Sequence, residues 1–259
     1  MARRDEAMMT EPPSPAQDIS DQSRLIVAGG RGKVGKSVML RFGIERCLAR
    51  GGDPIVADAD RTNATLTAFF PSSIRPPSSE DGDVRDWLNS LIDAQVEHRR
   101  SIFLDLGGGD LSLHAWARDL DLVPFLIDNG ITPVLIHCLG SDLDDLAYLR
   151  DLEGVFAPPH TAILLNEGLV PANKAPLTAF EPTLQHEVFR AAKARGAVVV
   201  RLPRLGCMQE LERRRLTIQA AIDNNVGSGQ PFGITGRQMI VMWRRQAEQT
   251  LAPILPWIS

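Results

Sequence analysis

The sequence predicts an α/β fold: a doubly wound, mostly parallel sheet with helices on both faces, in three layers. Short continuous apolar runs alternate with longer segments of helical periodicity, as buried strands and their crossover helices do. A glycine-rich turn follows the first apolar run, and Asp or Asn stands at the ends of later runs. Strands separated by helices imply right-handed βαβ units, which produce an open parallel sheet.

Composition places the chain among ordinary globular proteins. Of 259 residues, 44% are hydrophobic and 23% are charged, which is enough apolar material for a full core and excludes global disorder. Three cysteines exclude a disulfide scaffold, and no apolar run reaches the roughly 18 residues of a transmembrane helix. A formal net charge of −4 excludes a chain that is basic throughout but leaves room for a local basic patch.

Residues 1–23 are predicted to form a disordered tail. The segment is rich in charge and proline and lacks the apolar stretch of an export signal. Together with the unpaired cysteines, this predicts a cytoplasmic location. No later linker is long enough to separate a second domain, so 24–259 is predicted to be one domain.

The elements follow in order along the chain. Strands are predicted at 24–28, 54–57, 101–104, 132–138, 161–165 and 196–202. Helices are predicted at 34–50, 84–100, 111–128, 143–156, 178–195, 208–224 and 235–251, with a kink at Pro124 and a loop at 62–83. Ligands of such sheets bind beyond the carboxyl ends of the strands, so the residues there are the candidates for function.

The strongest motif is a phosphate-binding loop between the first strand and the first helix. It matches G-x-x-x-x-G-K-[ST], whose glycines let backbone N–H groups surround an anion at a helix N-terminus. The matching residues are Gly30, Arg31, Gly32, Lys33, Val34, Gly35, Lys36 and Ser37. Lys36 is predicted to reach the β- and γ-phosphates, and the Ser37 hydroxyl to ligate Mg²⁺.

Aspartates at two strand ends complete the predicted site. Asp105 closes an apolar strand before three glycines, which suits a carboxylate that holds Mg²⁺; the alternative is a cap for the next helix. Asp58 and Asp60 follow the second strand and would point to one side of it, toward the metal and its waters. The alternative for this pair is ordinary turn chemistry.

This combination resembles the ParA/MinD group of P-loop ATPases, whose deviant Walker A loop reads K-G-G-x-G-K-[ST]. Arg31 stands where the family has its signature lysine, and Lys33 where it usually has glycine. The resemblance implies that Asp60 orients the attacking water, that Asp58 supports Mg²⁺ and that the second switch begins at Asp105. It also implies an ATP-sandwiched homodimer in which Arg31 reaches the partner's phosphates, so the catalytic candidates are Lys36, Asp60 and Arg31.

The same resemblance predicts the base contacts. Asn166, after the fifth strand, would hydrogen-bond adenine, and Pro203, after the sixth, would cover the ring. A guanine site would need N-K-x-D, and Asn166 begins N-E-G-L instead. ATP with Mg²⁺ is therefore the predicted cofactor, rather than GTP.

The target of the ATPase is less defined. The stretch 190–215 holds eight cations against two glutamates, and three arginines follow within 237–245. ParA-like relatives bind DNA non-specifically, so both segments are candidate DNA contacts with an implied nucleoid association; the alternative is solvated helix faces. MinD-like relatives use a C-terminal amphipathic helix on membranes, but the consecutive apolar residues 239–243 favour burial over membrane contact.

These observations predict an ATPase whose ATP-dependent dimerisation and slow hydrolysis switch its binding to DNA or to a partner protein that stimulates hydrolysis. The biological output would be plasmid or DNA partition, transfer or intracellular positioning. Two alternatives stay open: a regulatory module that holds ATP with little turnover, and an ATP-dependent biosynthetic ligase or kinase resembling dethiobiotin synthetase.

Overall fold

The protein is a six-stranded sheet in a computed structural model that describes residues 17–108, 112–227 and 229–259. The strands are β1 (Arg24–Gly29), β2 (Ile55–Ala59), β3 (Ile102–Leu106), β4 (Thr132–Leu139), β5 (His160–Asn166) and β6 (Val198–Leu202). Every described pairing is parallel, and the spatial order is β2-β3-β1-β4-β5-β6. The predicted parallel sheet is confirmed, and its strand order reverses at β1, where such folds bind ligands.

Twelve α-helices are described around the sheet. They are α1 (Lys36–Ala49), α2 (Thr65–Phe69), α3 (Asp81–His98), α4 (Ser112–Leu120), α5 (Leu122–Asp128), α6 (Asp145–Glu153), α7 (Pro176–Gln185), α8 (Glu187–Ala194), α9 (Met208–Arg214), α10 (Ile218–Ile222), α11 (Ile234–Thr250) and α12 (Leu255–Ile258). Short 3₁₀ turns occupy Glu167–Leu169 and Ala252–Ile254. In the described part of the chain, no helix has the length and apolar character needed to span a bilayer.

The two faces of the sheet carry separate cores. On β1, Ile26 and Ala28 join the core under α1 and α9–α12, whereas Leu25 and Val27 join the one under α3–α6. A third cluster, under α6–α8, lies on the same side as the second because it takes the alternate residues of β5. The alternation of a strand thus divides the apolar residues into two layers of packing, and the predicted three-layer architecture is confirmed.

Three predicted helices are each divided in two. The segment 111–128 breaks at Asp121, whose φ of 48° ends the first helix; Pro124 lies in the first turn of α5, where its missing N–H costs nothing, so the kink predicted there is wrong. His186 ends α7, and its Nδ1 accepts the Val188 N–H to begin α8. Thr217 caps α10 in the same way, so 208–224 is two helices. Helix α2 forms inside the predicted loop.

The two strand-end aspartates lie inside the strands rather than beyond them. Asp58 and Asp105 are paired in register on β2 and β3, each one residue before its strand ends. Both are almost fully buried. The sheet therefore holds these two carboxylates side by side at its carboxyl edge.

Residues 17–23, the end of the predicted tail, lie against the sheet. Ile19 is fully buried in the core beneath α1, and the Trp257 indole donates to the Gln17 carbonyl oxygen at 3.2 Å. The Ser23 hydroxyl donates to the Arg100 carbonyl oxygen. Residues 17–23 thus pack on the sheet, while the rest of the predicted tail, 1–16, lies outside the described residues.

Candidate nucleotide-binding site

The predicted phosphate loop joins β1 to α1 at the centre of the sheet. Gly35 stands at the N-cap of α1 with a φ of 104°, and a Cβ there would lie 2.3 Å from the Asn166 amide nitrogen, so glycine is required twice over. The Lys36 ammonium is buried inside the loop, where Nζ donates to the carbonyl oxygens of Gly30 at 3.2 Å and Arg31 at 3.1 Å. The loop therefore encloses a positive charge at a helix N-terminus, the arrangement that binds phosphate.

Two neighbouring segments support the loop. The Asn166 Nδ2 donates to the Val34 carbonyl oxygen at 2.9 Å, and its Oδ1 accepts the Gly168 N–H at 3.0 Å. On the opposite side, the backbone of Gly108 lies against Gly32, so closely that a Cβ on Gly108 would approach the Gly32 nitrogen to 2.3 Å. The loop after β3 and the phosphate loop are thus in direct backbone contact.

Asp105 has the geometry of a magnesium ligand. Its Oδ2 accepts the Ser37 hydroxyl at 2.6 Å, whereas its Oδ1 has no hydrogen-bond partner among the described residues and the side chain is 1% exposed. Burial raises the pKa of Asp105 to about 7, against the opposing effects of the Ser37 hydrogen bond and the Lys36 charge. A buried carboxylate oxygen without a donor, beside a serine hydroxyl, fits a Mg²⁺ ion, which prefers oxygen ligands.

Asp58 and Asp60 are engaged in holding the segment after β2. The Asp58 Oδ2 accepts both the Thr67 N–H at 2.8 Å and the Thr67 hydroxyl at 2.9 Å, and its Oδ1 accepts the Asp60 N–H at 3.2 Å. The Asp60 Oδ1 accepts the N–H groups of Thr62 at 2.8 Å and Asn63 at 3.0 Å. The turn chemistry left open as the alternative is therefore present, and roles at Mg²⁺ or at a water stay predictions.

Arg31 and Lys33, which differ from the deviant Walker A pattern, have different structural surroundings. Lys33 has a φ of 67°, in the left-handed region that a side chain disfavours, so it occupies a glycine-like conformation. The Arg31 guanidinium turns to the loop after β4 and contacts the carboxylates of Asp142, Asp144 and Asp145. The structure thus places the Arg31 side chain on an acidic loop of its own chain.

The predicted base contacts lie at the ends of β5 and β6. Both Asn166 and Pro203 are buried, and the Pro203 carbonyl oxygen accepts the indole N–H of Trp243 on α11 at 2.8 Å. The contacts described for the Asn166 amide are with the phosphate loop and Gly168. Hydrogen bonding of Asn166 to adenine and covering of the ring by Pro203 stay predictions.

The basic stretch 190–215 is divided by the edge strand β6. Helix α8 before it packs on one face of the sheet and α9 after it on the other, so the eight cations form no single surface. Several of them pair with glutamates: Arg195 with Glu153, Arg201 with Glu167, and Arg213 and Arg214 with Glu210. On α11, Ile240 and Trp243 are buried as expected, whereas Met239 and Met242 are half-exposed.

Neither the acidic loop after β4 nor the partners of α1 are among the residues predicted from the sequence. Asp142, Asp144 and Asp145 lie just beyond β4, and that position at the carboxyl edge of the sheet was the available signal. No sequence pattern predicts the partners of Arg41. It is 5% exposed, stacks on the Phe69 ring with its Cζ 3.8 Å from the centroid, and pairs with Glu212, thereby joining α1 to α2 and α9.

The strand order, the loop and the paired carboxylates define the class: the chain has the α/β fold of the P-loop nucleoside triphosphatases. No family model and no curated protein matches the chain.

Solved structures of similar fold include the MinC:MinD cell division protein complex of Aquifex aeolicus, with 10% identity over 86% of this chain and 95% of that one and a TM-score of 0.49. MinD of the same organism matches at 10% identity over 86% and 96%, with a TM-score of 0.45. The signal recognition particle receptor FtsY of Elizabethkingia anophelis matches at 12% over 92% and 70%, with a TM-score of 0.49. At identities of 10–12%, these three similarities concern the fold alone.

Proposed function

We propose that this chain is a ParA/MinD-like ATPase that binds Mg²⁺-ATP, dimerises with it and hydrolyses it slowly. The observation that carries the proposal is the hydrogen bond from Ser37 to the buried Asp105, next to the Lys36 ammonium, with one Asp105 oxygen that has no donor among the described residues. A hydroxyl, a carboxylate and an ammonium at a helix N-terminus are the groups that a metal-bound triphosphate requires.

Separate residues would bind the phosphates, the metal and the attacking water. Backbone N–H groups of residues 32–37 and the Lys36 ammonium bind the phosphates, and Ser37 with Asp105 holds Mg²⁺, which neutralises charge on the phosphate oxygens when bound. Asp58 on β2 is the register partner of Asp105 on β3, and Asp60 comes directly after β2. Asp60 would orient the attacking water from there, with Asp58 supporting the metal. Arg31, the third catalytic candidate, would reach the phosphates across a homodimer.

Calorimetric titration with ATP and Mg²⁺ tests the binding step. We expect Lys36→Ala to abolish measurable binding, because it removes the buried charge that faces the phosphates. Lys174, between the Glu167–Leu169 turn and α7, offers the matched control: Lys174→Ala removes the same charge from an exposed position. Equal affinities for the wild type and Lys36→Ala would remove the loop from the site.

Light scattering coupled to size-exclusion chromatography tests dimerisation. The Asp60→Ala variant, in which hydrolysis should be lost, is expected to form a dimer with Mg²⁺-ATP and a monomer with ADP. A monomer under both conditions contradicts the proposed dimer while leaving nucleotide binding intact.

One observation favours a module with little turnover as a second candidate. The Asp60 Oδ1 already accepts two backbone N–H groups, which holds that oxygen in the turn rather than on a water. Single-turnover hydrolysis discriminates the two candidates: loss of bound ATP over minutes to hours supports the slow ATPase, and its persistence supports the module.

A cavity keeps a small-molecule ligase or kinase as a third candidate. It has a volume of about 480 Å³, lies between α3 and α4, and is lined by Gly108, which also contacts the phosphate loop. Leu88 and Trp116 provide an apolar wall, and Arg61 and Arg85 provide cations that pair with Asp81 and Asp119. ATP consumption that depends on an added small carboxylate would support this candidate over the switch.

The target of the switch is proposed to be DNA or a protein that stimulates hydrolysis, with roles in partition, transfer or positioning in the cytoplasm. Exposed cations lie on both faces, with Arg190 and Lys193 on α8 and Arg215 and Arg245 on the α9–α11 side. Fluorescence anisotropy with a labelled duplex at increasing salt tests DNA binding, whose affinity must fall steeply through counterion release. Paired substitutions on each face then show which of the two is used; a flat salt response contradicts DNA as the target.

A further inference from the structure

The side chain of Arg31 is held by the loop that follows β4. Its Nε lies 2.8 Å from Asp145 Oδ1, its Nη2 3.0 Å from Asp142 Oδ2 and its Nη1 3.5 Å from Asp144 Oδ2. All three guanidinium nitrogens therefore face carboxylates. Because Arg31 is the second residue of the phosphate loop, these contacts act directly on the candidate site.

Asp145 differs from the other two carboxylates in its burial. Its side chain is 2% exposed, whereas those of Asp142 and Asp144 are 58% and 80% exposed. The Asp145 Oδ2 also accepts the Gly140 N–H at 2.7 Å, which fixes the carboxylate to the end of β4. The Arg31 hydrogen bonds go to the exposed Asp142 and Asp144, whereas Asp145 Oδ1 forms an ion pair with Nε without a hydrogen bond. Because exposed ion pairs contribute little, the buried charge of Asp145 is the main attraction that holds the Arg31 side chain.

The contact with Asp145 places the Arg31 guanidinium on one side of the phosphate loop. In the sheet, β1 lies between β3 and β4. Asp105, which bonds to Ser37, belongs to β3, whereas Asp145 follows β4. The guanidinium is thus on the opposite side of the loop from the predicted magnesium ligands. A guanidinium binds carboxylate and phosphate oxygens through the same donors, so the acidic loop and a triphosphate compete for it.

We propose that Asp145 is a positioning residue that holds Arg31 away from the nucleotide, and that release of this contact strengthens Mg²⁺-ATP binding because the freed guanidinium pairs with phosphate oxygens. The inference rests on the proposed function, since it requires the loop to bind a triphosphate. The phosphates belong either to the chain's own nucleotide or to that of a second copy.

A double-mutant cycle with Mg²⁺-ATP tests the proposal by calorimetry. Asp145→Asn keeps an oxygen for the Gly140 N–H but loses the charge, and is expected to raise affinity about five- to tenfold. Arg31→Ala alone should lower affinity less than the same change does in the Asp145→Asn background, because the acidic loop holds the side chain in the wild type. In the Asp145→Asn background, Arg31→Ala should remove the whole gain.

Asp151→Asn provides the matched control. Asp151 lies on the same helix, α6, and pairs with Arg150 rather than Arg31, so its loss changes the net charge equally. An equal gain from Asp151→Asn and Asp145→Asn, or a gain that persists without Arg31, overturns the proposal. If Asp145→Asn fails to fold by thermal unfolding, the exposed pair Asp142→Asn with Asp144→Asn gives the same cycle with a smaller expected gain.

Protein concentration separates the two sources of phosphate. A gain at concentrations where light scattering shows a monomer supports contact with the chain's own nucleotide, and a gain confined to the dimer supports contact with a second copy's. Mg²⁺-ATP binding with no coupling between Arg31 and Asp145 overturns this inference alone. Absence of Mg²⁺-ATP binding by the wild type and Asp145→Asn alike overturns the proposed function and the inference with it.

Discussion

The tips of β2 and β3 carry the same sequence signal but hold their aspartates differently. Asp105 on β3 keeps one buried oxygen that no described residue donates to, whereas both oxygens of Asp58 on β2 accept hydrogen bonds from the segment they hold. The two residues are register partners on adjacent strands. An aspartate at a strand end therefore indicates a position at the carboxyl edge, and its neighbours decide between a metal ligand and a structural acceptor.

The largest expected effect separates the two aspartates by metal dependence. Asp105→Asn should weaken Mg²⁺-dependent ATP binding by about 30-fold or more, because it removes the charged ligand but keeps the shape. Asp58→Asn should change the dependence on Mg²⁺ by much less. Calorimetric titrations with ATP, in Mg²⁺ and in chelator, measure both. Equal losses of Mg²⁺ dependence in the two variants would contradict the distinction.

For the free energy of unfolding we expect the opposite order, with a larger effect at Asp58 than at Asp105. Asp58→Ala leaves the partly buried Thr67 donors without the acceptor they use, so the free energy of unfolding should fall by about 2 kcal/mol. Asp58→Asn retains an acceptor oxygen and should cost less. Urea denaturation of both variants, with Thr67→Val as a partner in a double-mutant cycle, measures the contribution. A cost for Asp58→Ala that is unchanged in the Thr67→Val background would show that α2 does not depend on this carboxylate.

The pH dependence of stability sharpens the comparison further. The pKa of Asp105 is raised to about 7 in the folded state, so between about pH 4 and pH 7 the folded protein binds more protons than the unfolded chain. Without Mg²⁺, the free energy of unfolding should therefore fall as pH rises through this window, by at most about 1.4 kcal/mol per pH unit for this one group. The charge of Lys36 lowers the pKa of Asp105, and the charges of Asp58 and Asp60 raise it.

The Asp105→Asn variant supplies the reference for that measurement. Asparagine does not titrate, so the fall between about pH 5.5 and pH 8 should shrink in the variant by the amount that Asp105 contributes. Urea denaturation of the wild type and the variant at these two pH values measures the difference. The same slope in the wild type and the variant would assign the pH dependence to other groups.

The smallest expected effect concerns the loop that both strand tips face. Lys33→Gly removes a side chain from a φ of 67°, and the relief of strain is offset by the greater freedom of glycine in the unfolded chain. The net change in unfolding free energy should lie within about 1 kcal/mol. Lys33→Ala is the control, since it removes the charge but retains the strained Cβ. A stabilisation shared by both variants would point to the charge rather than to the backbone.

Most of the fold was predictable because its signals are local. Apolar runs located the strands, and the spacing of glycines, Lys36 and Ser37 located the phosphate loop. The helix breaks at Asp121 and His186 were missed because the apolar periodicity continues across them, while the break itself depends on one backbone angle or one cap. Periodicity reports burial and carries little information on such local interruptions.

The site was less predictable where distant residues meet. Counting cations in 190–215 could not reveal Glu153 and Glu167, which lie outside that stretch and neutralise Arg195 and Arg201. The same limit applies to Arg31, whose acidic partners are more than a hundred residues away along the chain. The residue types at the site follow from sequence, but which charges pair follows from the strand order.

The hydrogen bond between the Trp243 indole and the Pro203 carbonyl ties the last long helix to the turn after β6. Displacement of α11 would pull on that turn through a single short link, although none of the helix's residues belongs to the phosphate loop. A label or fusion placed on this helix would therefore be expected to disturb the turn after β6, where the predicted base contact Pro203 lies.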